Sequence, residues 1–392
     1  MLKHINDYNF TNKRVIVRCD FNVPIEGDKV KDNFKIEKTL PTIRFLQDRG
    51  AKIILISHLS ESSKNGTNSL KPVKKELEKL LGGSIVFSKK VLGFKVRKMV
   101  WGLKAGKILL LENLRTEKGE KKNNLKFAKK LSKLADFYVN EAFSVCHRKH
   151  ASISLLPKLL PNSIGFEFEK EIKFLSQVSQ SFQSSQGPLC VIIGGVKIDS
   201  KIKVVKKFLE KADHLILGSY IANNILRVKG VCVGLPWPSK EIVDVIKEID
   251  LTSRKIHLPV DVLVSPDETG ELYIRETGTA LARKDERIFD IGKSSIENFS
   301  KIIKESKTIF WSGSMGLFEN EKFSEGTRQI AMSIAKNEKA LKIIGGGDTI
   351  HAVRKFGLLN GFSFVSIGGG AMLEFLSGEE LPGLRALSFY DN

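Results

Sequence analysis

The chain is poor in sulfur and poorer in acid than in base. Its four cysteines, Cys19, Cys146, Cys190 and Cys232, lack the spacing of a disulfide framework or a zinc-ligand set. That excludes a small stapled scaffold and fits a reducing compartment. No apolar run approaches the length of a membrane span, and Met1–Phe10 carries no apolar h-region, so a cytoplasmic protein without a membrane partner is expected. No repeat of solenoid type appears. Acidic residues number 44 against 64 basic ones, a net charge of +20. The lysines fall in pairs such as Lys89-Lys90, Lys121-Lys122, Lys129-Lys130 and Lys206-Lys207, on the polar faces of helical patterns. There is no low-complexity arm and no aromatic platform among them, so a nucleic-acid partner is not expected. A solvated basic surface that attracts phosphorylated substrates is the better reading.

With 392 residues the chain exceeds what one hydrophobic core usually serves, and two domains are expected. Apolar strand-like runs alternate with helical patterns throughout. In the first half the runs are Arg14–Cys19, Lys52–Ser57, Ile108–Leu111 and Phe137–Val139, with helices such as Pro41–Arg49 and Leu125–Leu134 between them. In the second half they are Val191–Ile193, His214–Leu217, Ile256–Val262, Thr308–Trp311, Leu341–Ile344 and Phe364–Ile367. This alternation implies an α/β fold of two lobes, each a parallel sheet flanked by helices in a Rossmann-like manner. A helical pattern after Gly165 leads into the Ser- and Gln-rich stretch Ser179–Gly187. The expected division is a lobe over 1–165, a linking helix with a hinge over 166–184, a second lobe over 185–376 and a tail over 377–392. A return of that tail to the first lobe is one course open to it.

Three strands run into glycines and then into a helix: at Gly194-Gly195 with Lys197, at Gly345-Gly346-Gly347 with Asp348 and Thr349, and at Gly368-Gly369-Gly370. Glycine allows the backbone to turn sharply and approach a ligand, and the following helix start favours phosphate. Lys197 and Lys201 are four apart, on one helix face. Asp348 has two readings, a helix N-cap or a carboxylate for Mg²⁺. Glu319, beyond Trp311-Ser-Gly-Ser-Met-Gly316-Leu-Phe, is a candidate ribose acceptor. None of these segments matches the P-loop or the dinucleotide fingerprint, so the phosphate site belongs to another class. In the first half the carboxyl ends of the strands carry Asp20-Phe21-Asn22, His58, Asn113 with Arg115, and Asn140 with Arg148 and His150 beyond it. Ligands of open α/β sheets bind at such ends, and paired arginines hold carboxylate or phosphate through two bonds.

Taken in order, these blocks resemble phosphoglycerate kinase over nearly the whole chain. The carriers are Arg18-Cys-Asp-Phe-Asn-Val-Pro24, Leu111-Glu-Asn-Leu-Arg115, Val139-Asn-Glu-Ala-Phe143 with His147-Arg-Lys-His-Ala-Ser152, and Gly194-Gly-Val-Lys-Ile-Asp-Ser-Lys201. Trp311 to Glu319, Phe323 to Thr327, Gly345 to Thr349 and Ser366 to Ala371 complete the set. The resemblance implies reversible phosphoryl transfer between 1,3-bisphosphoglycerate with ADP and 3-phosphoglycerate with MgATP, in a monomer whose lobes close. It implies that Asp20, Phe21, Asn22, Lys35, His58, Arg115, Arg148 and His150 hold the acid. Gly194, Gly195, Lys197, Lys201, Gly316, Glu319, Gly346, Gly347, Asp348 and Thr349 would hold the nucleotide, with Asp348 on Mg²⁺. Lys197, Lys35 and the Gly368–Gly370 backbone would serve the transfer itself. Departures from the family pattern are Lys35 and Glu61 where it has arginines, Ser312 for Asn, Ser314 for Pro, Ile367 for Thr and Glu141 for Asp. They leave two other readings, a nucleotide-binding relative without turnover that serves a regulatory role, and a kinase for a different small carboxylic acid.

Overall fold

The computed structural model describes residues 2–60, 68–181, 187–196, 198–231 and 238–391. The expected linker stretch therefore lies largely outside the described residues, as do Glu61, Lys197 and Cys232. The chain forms two compact units, Met1–Lys173 with Glu379–Asn392, and Phe174–Gly378.

The first unit is built on six parallel strands, in the spatial order Val86–Phe87, Ile108–Leu110, Lys52–Ile56, Arg14–Arg18, Phe137–Asn140 and Asn162–Ile164. The central strands read as unbroken apolar runs because helices cover both faces, and Val15, Val17, Ile53 and Leu55 share one core with Ile36, Ile43 and Leu77. From Arg14–Arg18 the chain winds outward through Lys52–Ile56, then returns to the other side at Phe137–Asn140. The carboxyl ends of Arg14–Arg18 and Phe137–Asn140 thus flank a switch in winding direction, where an open sheet leaves a crevice.

The second unit repeats the plan in the order Ile256–His257, His214–Leu217, Leu189–Ile193, Thr308–Ser312, Leu341–Gly345 and Phe364–Ser366, all parallel. Its core joins Ile192, Ile216, Trp311 and Ile344 to Phe299, Ile303 and Ile330. Here the switch falls between Leu189–Ile193 and Thr308–Ser312, whose last residues, Ile193 and Ser312, are paired.

Two elements differ from the sequence expectation. The single strand over Ile256–Val262 is two, because Pro259 lacks the N–H a continuous strand would need. Ile256–His257 closes the parallel sheet, whereas Asp261–Ser265 is the middle of a separate antiparallel sheet with Arg275–Gly278 and Arg287–Ile291. The helix expected from Pro41 starts at Phe34 and runs to Asp48 through that proline. The early start is functional in effect, since it sets Lys35 in the first turn, facing the end of the Arg14–Arg18 strand.

Candidate functional site

At the switch of the first unit the chain leaves Arg18 into Cys19 and Asp20, and the neighbouring strand leaves Asn140 towards Ser144. The Asp20 carboxylate is buried and accepts from Lys35 Nζ at 2.7 Å and from Ser144 Oγ at 2.6 Å through one oxygen, Oδ2. Burial alone raises its pKa, but the Lys35 charge and these two hydrogen bonds override burial and hold it below the ordinary carboxylate range. Asn22 accepts from the Ser60 N–H at 2.9 Å, and Ser60 Oγ accepts from Arg115 Nη1 at 3.2 Å. Asn113 supports both neighbours, its Oδ1 accepting from the N–H of Leu59 at 3.1 Å and of Arg115 at 3.0 Å. Phe21 is fully buried; its ring joins the core and its N–H donates to Ser57 Oγ at 2.8 Å.

Beneath this rim lies a charged network that sequence reading did not single out. The Arg18 guanidinium is fully buried, donates to Ser152 Oγ at 2.9 Å and lies 3.3 Å from His58 Nδ1. Glu120, also fully buried, accepts from Ser152 through both its N–H (2.9 Å) and its hydroxyl (2.6 Å). His150 Nδ1 stands 4.0 Å from the same carboxylate. Burial and the surrounding arginines push the His150 pKa down to about 4, and burial with Arg18 lowers His58 well below its ordinary value. Both imidazoles are therefore neutral at physiological pH. The fixed cations are Arg18, Arg115, Arg148 and Lys35, with Arg148 exposed. Arg115 feels Arg148 and Arg18 strongly enough that, after burial, they lower its own pKa. Two buried carboxylates, Asp20 and Glu120, act as counter-charges on Arg115. His58 and His150 were candidates and Arg18 and Ser152 stood within quoted motifs, but Glu120 carried no local signal because its partner Ser152 lies 32 residues away.

The second unit builds its rim from backbone. Gly194 N donates to Ser312 O at 3.0 Å and Gly195 N to Ser314 O at 2.8 Å, so two loops cross at the switch point. A Cβ on Gly194 would meet Ser314 O at 2.1 Å, and one on Gly313 would meet Gly194 O at 2.0 Å. Gly313, Gly195 and Gly346 also have φ values of +103°, +81° and +94°, which side chains resist. Lys201 Nζ donates to Gly194 O at 2.7 Å and Ser312 O at 3.3 Å. Thr349 is buried and its hydroxyl accepts from Gly313 N at 2.6 Å, so it ties two glycine loops together.

Two clefts open here. A polar one of about 220 Å³ is lined by Lys201, Ser312, Gly313, Gly346, Gly347, Asp348, Thr349, Gly369 and Gly370. No side chain crowds Gly347 or Gly369 where a Cβ would stand. Gly368 leads into the helix Gly369–Leu376 and donates its N–H to Ser366 Oγ at 3.1 Å. The second cleft, about 320 Å³, is walled by Val196, Ile288, Phe289, Leu317 and Phe318 and carries Tyr220, Asn223, Gly316 and Glu319. Asp348, exposed in the first turn of the helix Gly347–Lys355, borders both. Under the wall of the larger cleft Asp290 is buried, accepting from Gly326 N at 2.7 Å and Ile291 N at 2.9 Å. Burial drives its pKa up to about 8. The lack of a Cβ on Gly316, which would meet Asp290 Oδ1 at 2.2 Å, is what lets this acid sit there.

A family model described as Phosphoglycerate kinase matches residues 5–379. The chain is 41% identical over 398 residues to the phosphoglycerate kinase of Wolbachia sp. subsp. Drosophila simulans, covering 98% of each chain. It is 41% identical over 390 residues to that of Leptospira biflexa, covering 98% of this chain and 97% of the relative. Among solved structures it is similar to phosphoglycerate kinase from Pyrococcus horikoshii, with a TM-score of 0.87 at 31% identity, and to that from Coxiella burnetii, with 0.84 at 32%. Both alignments cover 100% of each chain.

Proposed function

The chain belongs to the phosphoglycerate kinase family, and from that premise we propose a division of labour between its two rims. The reaction is the reversible transfer of a phosphoryl group between 1,3-bisphosphoglycerate with ADP and 3-phosphoglycerate with ATP, a glycolytic step. The first unit takes the acid. Arg115 and Arg148, with Asn22, His58 and His150, receive its carboxylate and phosphate, and the Lys35–Asp20 pair sets the inner edge. The second unit takes the nucleotide, its base in the apolar-walled cleft, its ribose at Glu319 and its phosphates along Lys201 and the N–H groups of Gly346–Thr349 and Gly368–Gly370.

The observation that carries this reading is Asp348, one hard-oxygen ligand bordering both a small polar cleft and a larger apolar-walled one. A nucleotide needs that layout for its phosphates and base. Mg²⁺ fits the same carboxylate, because it takes one or two carboxylates together with phosphate oxygens and water. No cluster of three or more possible protein ligands exists among the described residues, which suits such a shared site. When bound, the ion neutralises phosphate charge. Phosphoryl transfer otherwise asks the chain for position and fixed positive charge, without a covalent intermediate. Lys197, outside the described residues, is assigned to the phosphoryl in flight, so Lys197→Ala should lower kcat about a hundredfold and leave ADP affinity nearly intact.

A nucleotide binder without turnover is the weaker alternative, since Lys35 supplies a cation paired with Asp20 where the family has arginine. The deciding measurement couples ADP release to 3-phosphoglycerate addition at saturating MgATP. Acid-dependent turnover supports the division of labour. Calorimetric MgADP binding without any turnover would overturn the acid half, and absence of both would overturn the whole.

A further inference from the structure

The stretch from Gly82 to Leu111 contains seven basic residues, Lys89, Lys90, Lys95, Arg97, Lys98, Lys104 and Lys107, and no Asp or Glu. All seven are exposed. It belongs to the first unit and includes the edge strand Val86–Phe87 and the helix Phe94–Trp101. That helix buries Val96 and Val100 on its inner side. Its outer side is not simply polar, as the charge pattern led one to expect. Phe94 and Trp101 are each 75% exposed. Seven residues are close to two helical turns, so both rings project from one face, with Arg97 and Lys98 between them. Met99 and Val86 add further exposed apolar surface. Trp101 is also held in place, since Arg14, paired with Asp136, lies 5.4 Å from its ring centroid. An ordered, outward-pointing indole in a field of cations needs a partner that is both anionic and able to admit apolar rings.

We propose that this face docks on an anionic lipid bilayer. Phe94 and Trp101 enter the headgroup boundary, where aromatic side chains settle, and the surrounding lysines and arginine meet lipid phosphates and carboxylates. The binding is peripheral, since no helix among the described residues is long and apolar enough to cross a membrane. The two rings, each 75% exposed, stand out from the surface, which favours lipid over single-stranded nucleic acid, held in a basic groove with bases stacked on a platform. Neither of the two clefts of the second unit reaches this segment. A bilayer, in contrast, deforms around projecting rings.

The test is sedimentation of the full chain with vesicles of phosphatidylcholine, with or without about one third phosphatidylserine. Binding to the anionic vesicles, weakened by salt and absent from the neutral ones, is expected. Phe94→Ser with Trp101→Ser should weaken it about tenfold, while phosphoryl transfer and the thermal midpoint hold. Phe94→Ser alone, at a position that supports nothing else, should give part of that loss if the double variant proves unstable. Arg97→Glu with Lys98→Glu should act similarly. The proposal is overturned if neutral and anionic vesicles bind alike, if neither does, or if removing the rings changes nothing while charge reversal abolishes binding. Tighter binding of a single-stranded oligonucleotide through the same residues would equally overturn it.

Discussion

The two rims occupy equivalent places in two sheets of the same plan, yet they are made of different material. The first is made of side chains, with Arg18, Ser152 and Glu120 in one set and Lys35, Asp20 and Ser144 in another, each joined by bonds of 2.6 to 2.9 Å. The second is made largely of backbone, where Gly194, Gly313 and Gly346 let strands and loops approach closely, with Lys201 and Asp348 bringing charge to the polar cleft. Side-chain construction allows replacement at modest cost, because a neighbouring group of similar chemistry can fill in. Backbone construction does not, because a missing Cβ has no substitute. Lys35 and Glu61, the departures of charge or fork that the resemblance implies, both belong to the first unit, whose side-chain construction can absorb them.

The sharpest way to break the comparison is Gly313→Ala. The new methyl group would stand 2.0 Å from Gly194 O at a φ of +103°, so the crossing loops must separate at a cost of about 1–3 kcal/mol or more. MgADP affinity should fall at least about tenfold by calorimetry, since the polar cleft is lined by the same loop. Unchanged affinity would show that the glycines are incidental. A smaller loss is expected from Glu120→Gln in the first rim. Gln keeps the shape and can still accept from Ser152, and the Michaelis constant for 3-phosphoglycerate should rise severalfold while that for ATP holds. If both constants move together, Glu120 acts on the fold alone. Smaller again is Lys35→Arg, which restores a planar fork beside Asp20 and should raise kcat by a factor of a few. Glu61→Arg should lower the acid's Michaelis constant by a similar factor at low salt and less at high salt.

The mildest contrast is in pH. Asp20 has a folded pKa below its ordinary 3.8, so the stability it contributes is present above that value and is lost as pH falls further. Asp290 is the reverse: with a folded pKa raised to about 8, its contribution is complete below 3.8 and is lost as pH rises towards 8. Glu141, pushed by burial to about 7, adds a loss of the same sign in the first unit. The buried histidines, with folded pKa values lowered from 6.5, oppose this in acid, so urea midpoints should decline from neutral to mildly alkaline solution, and Asp290→Asn should flatten that decline. Asp20→Asn should flatten only the acid limb.

The strand–glycine–helix junctions, the two-sheet plan and most rim residues were legible because each depends on local pattern: apolar runs, glycines and the polar residues just beyond strand ends. What escaped depends on distance along the chain. Glu120 reads as one more acid in Glu117-Lys-Gly-Glu-Lys, and only the fold puts it under Ser152 and Arg18. Asp290 looks like an ordinary strand residue until Gly316 and Gly326 close over it. The antiparallel sheet was missed because Pro259 sits within an otherwise continuous apolar run, and the early start of the Phe34–Asp48 helix because Pro41 reads as a first-turn proline.

One further consequence concerns the order in which a ribosome delivers the parts. The first unit is discontinuous: Glu379–Asn392 belongs to it, with Gly383 donating its N–H to Cys146 O at 2.8 Å and its Cα seated where a Cβ would strike the Cys146 sulfur. All of Phe174–Gly378 is translated between the two portions. The second unit can finish as soon as its own stretch has emerged, whereas the first, though begun earlier, must wait with an open seat at Cys146. A nascent chain halted after Gly378 would hold one finished body and one unfinished one, the reverse of the order in which synthesis began.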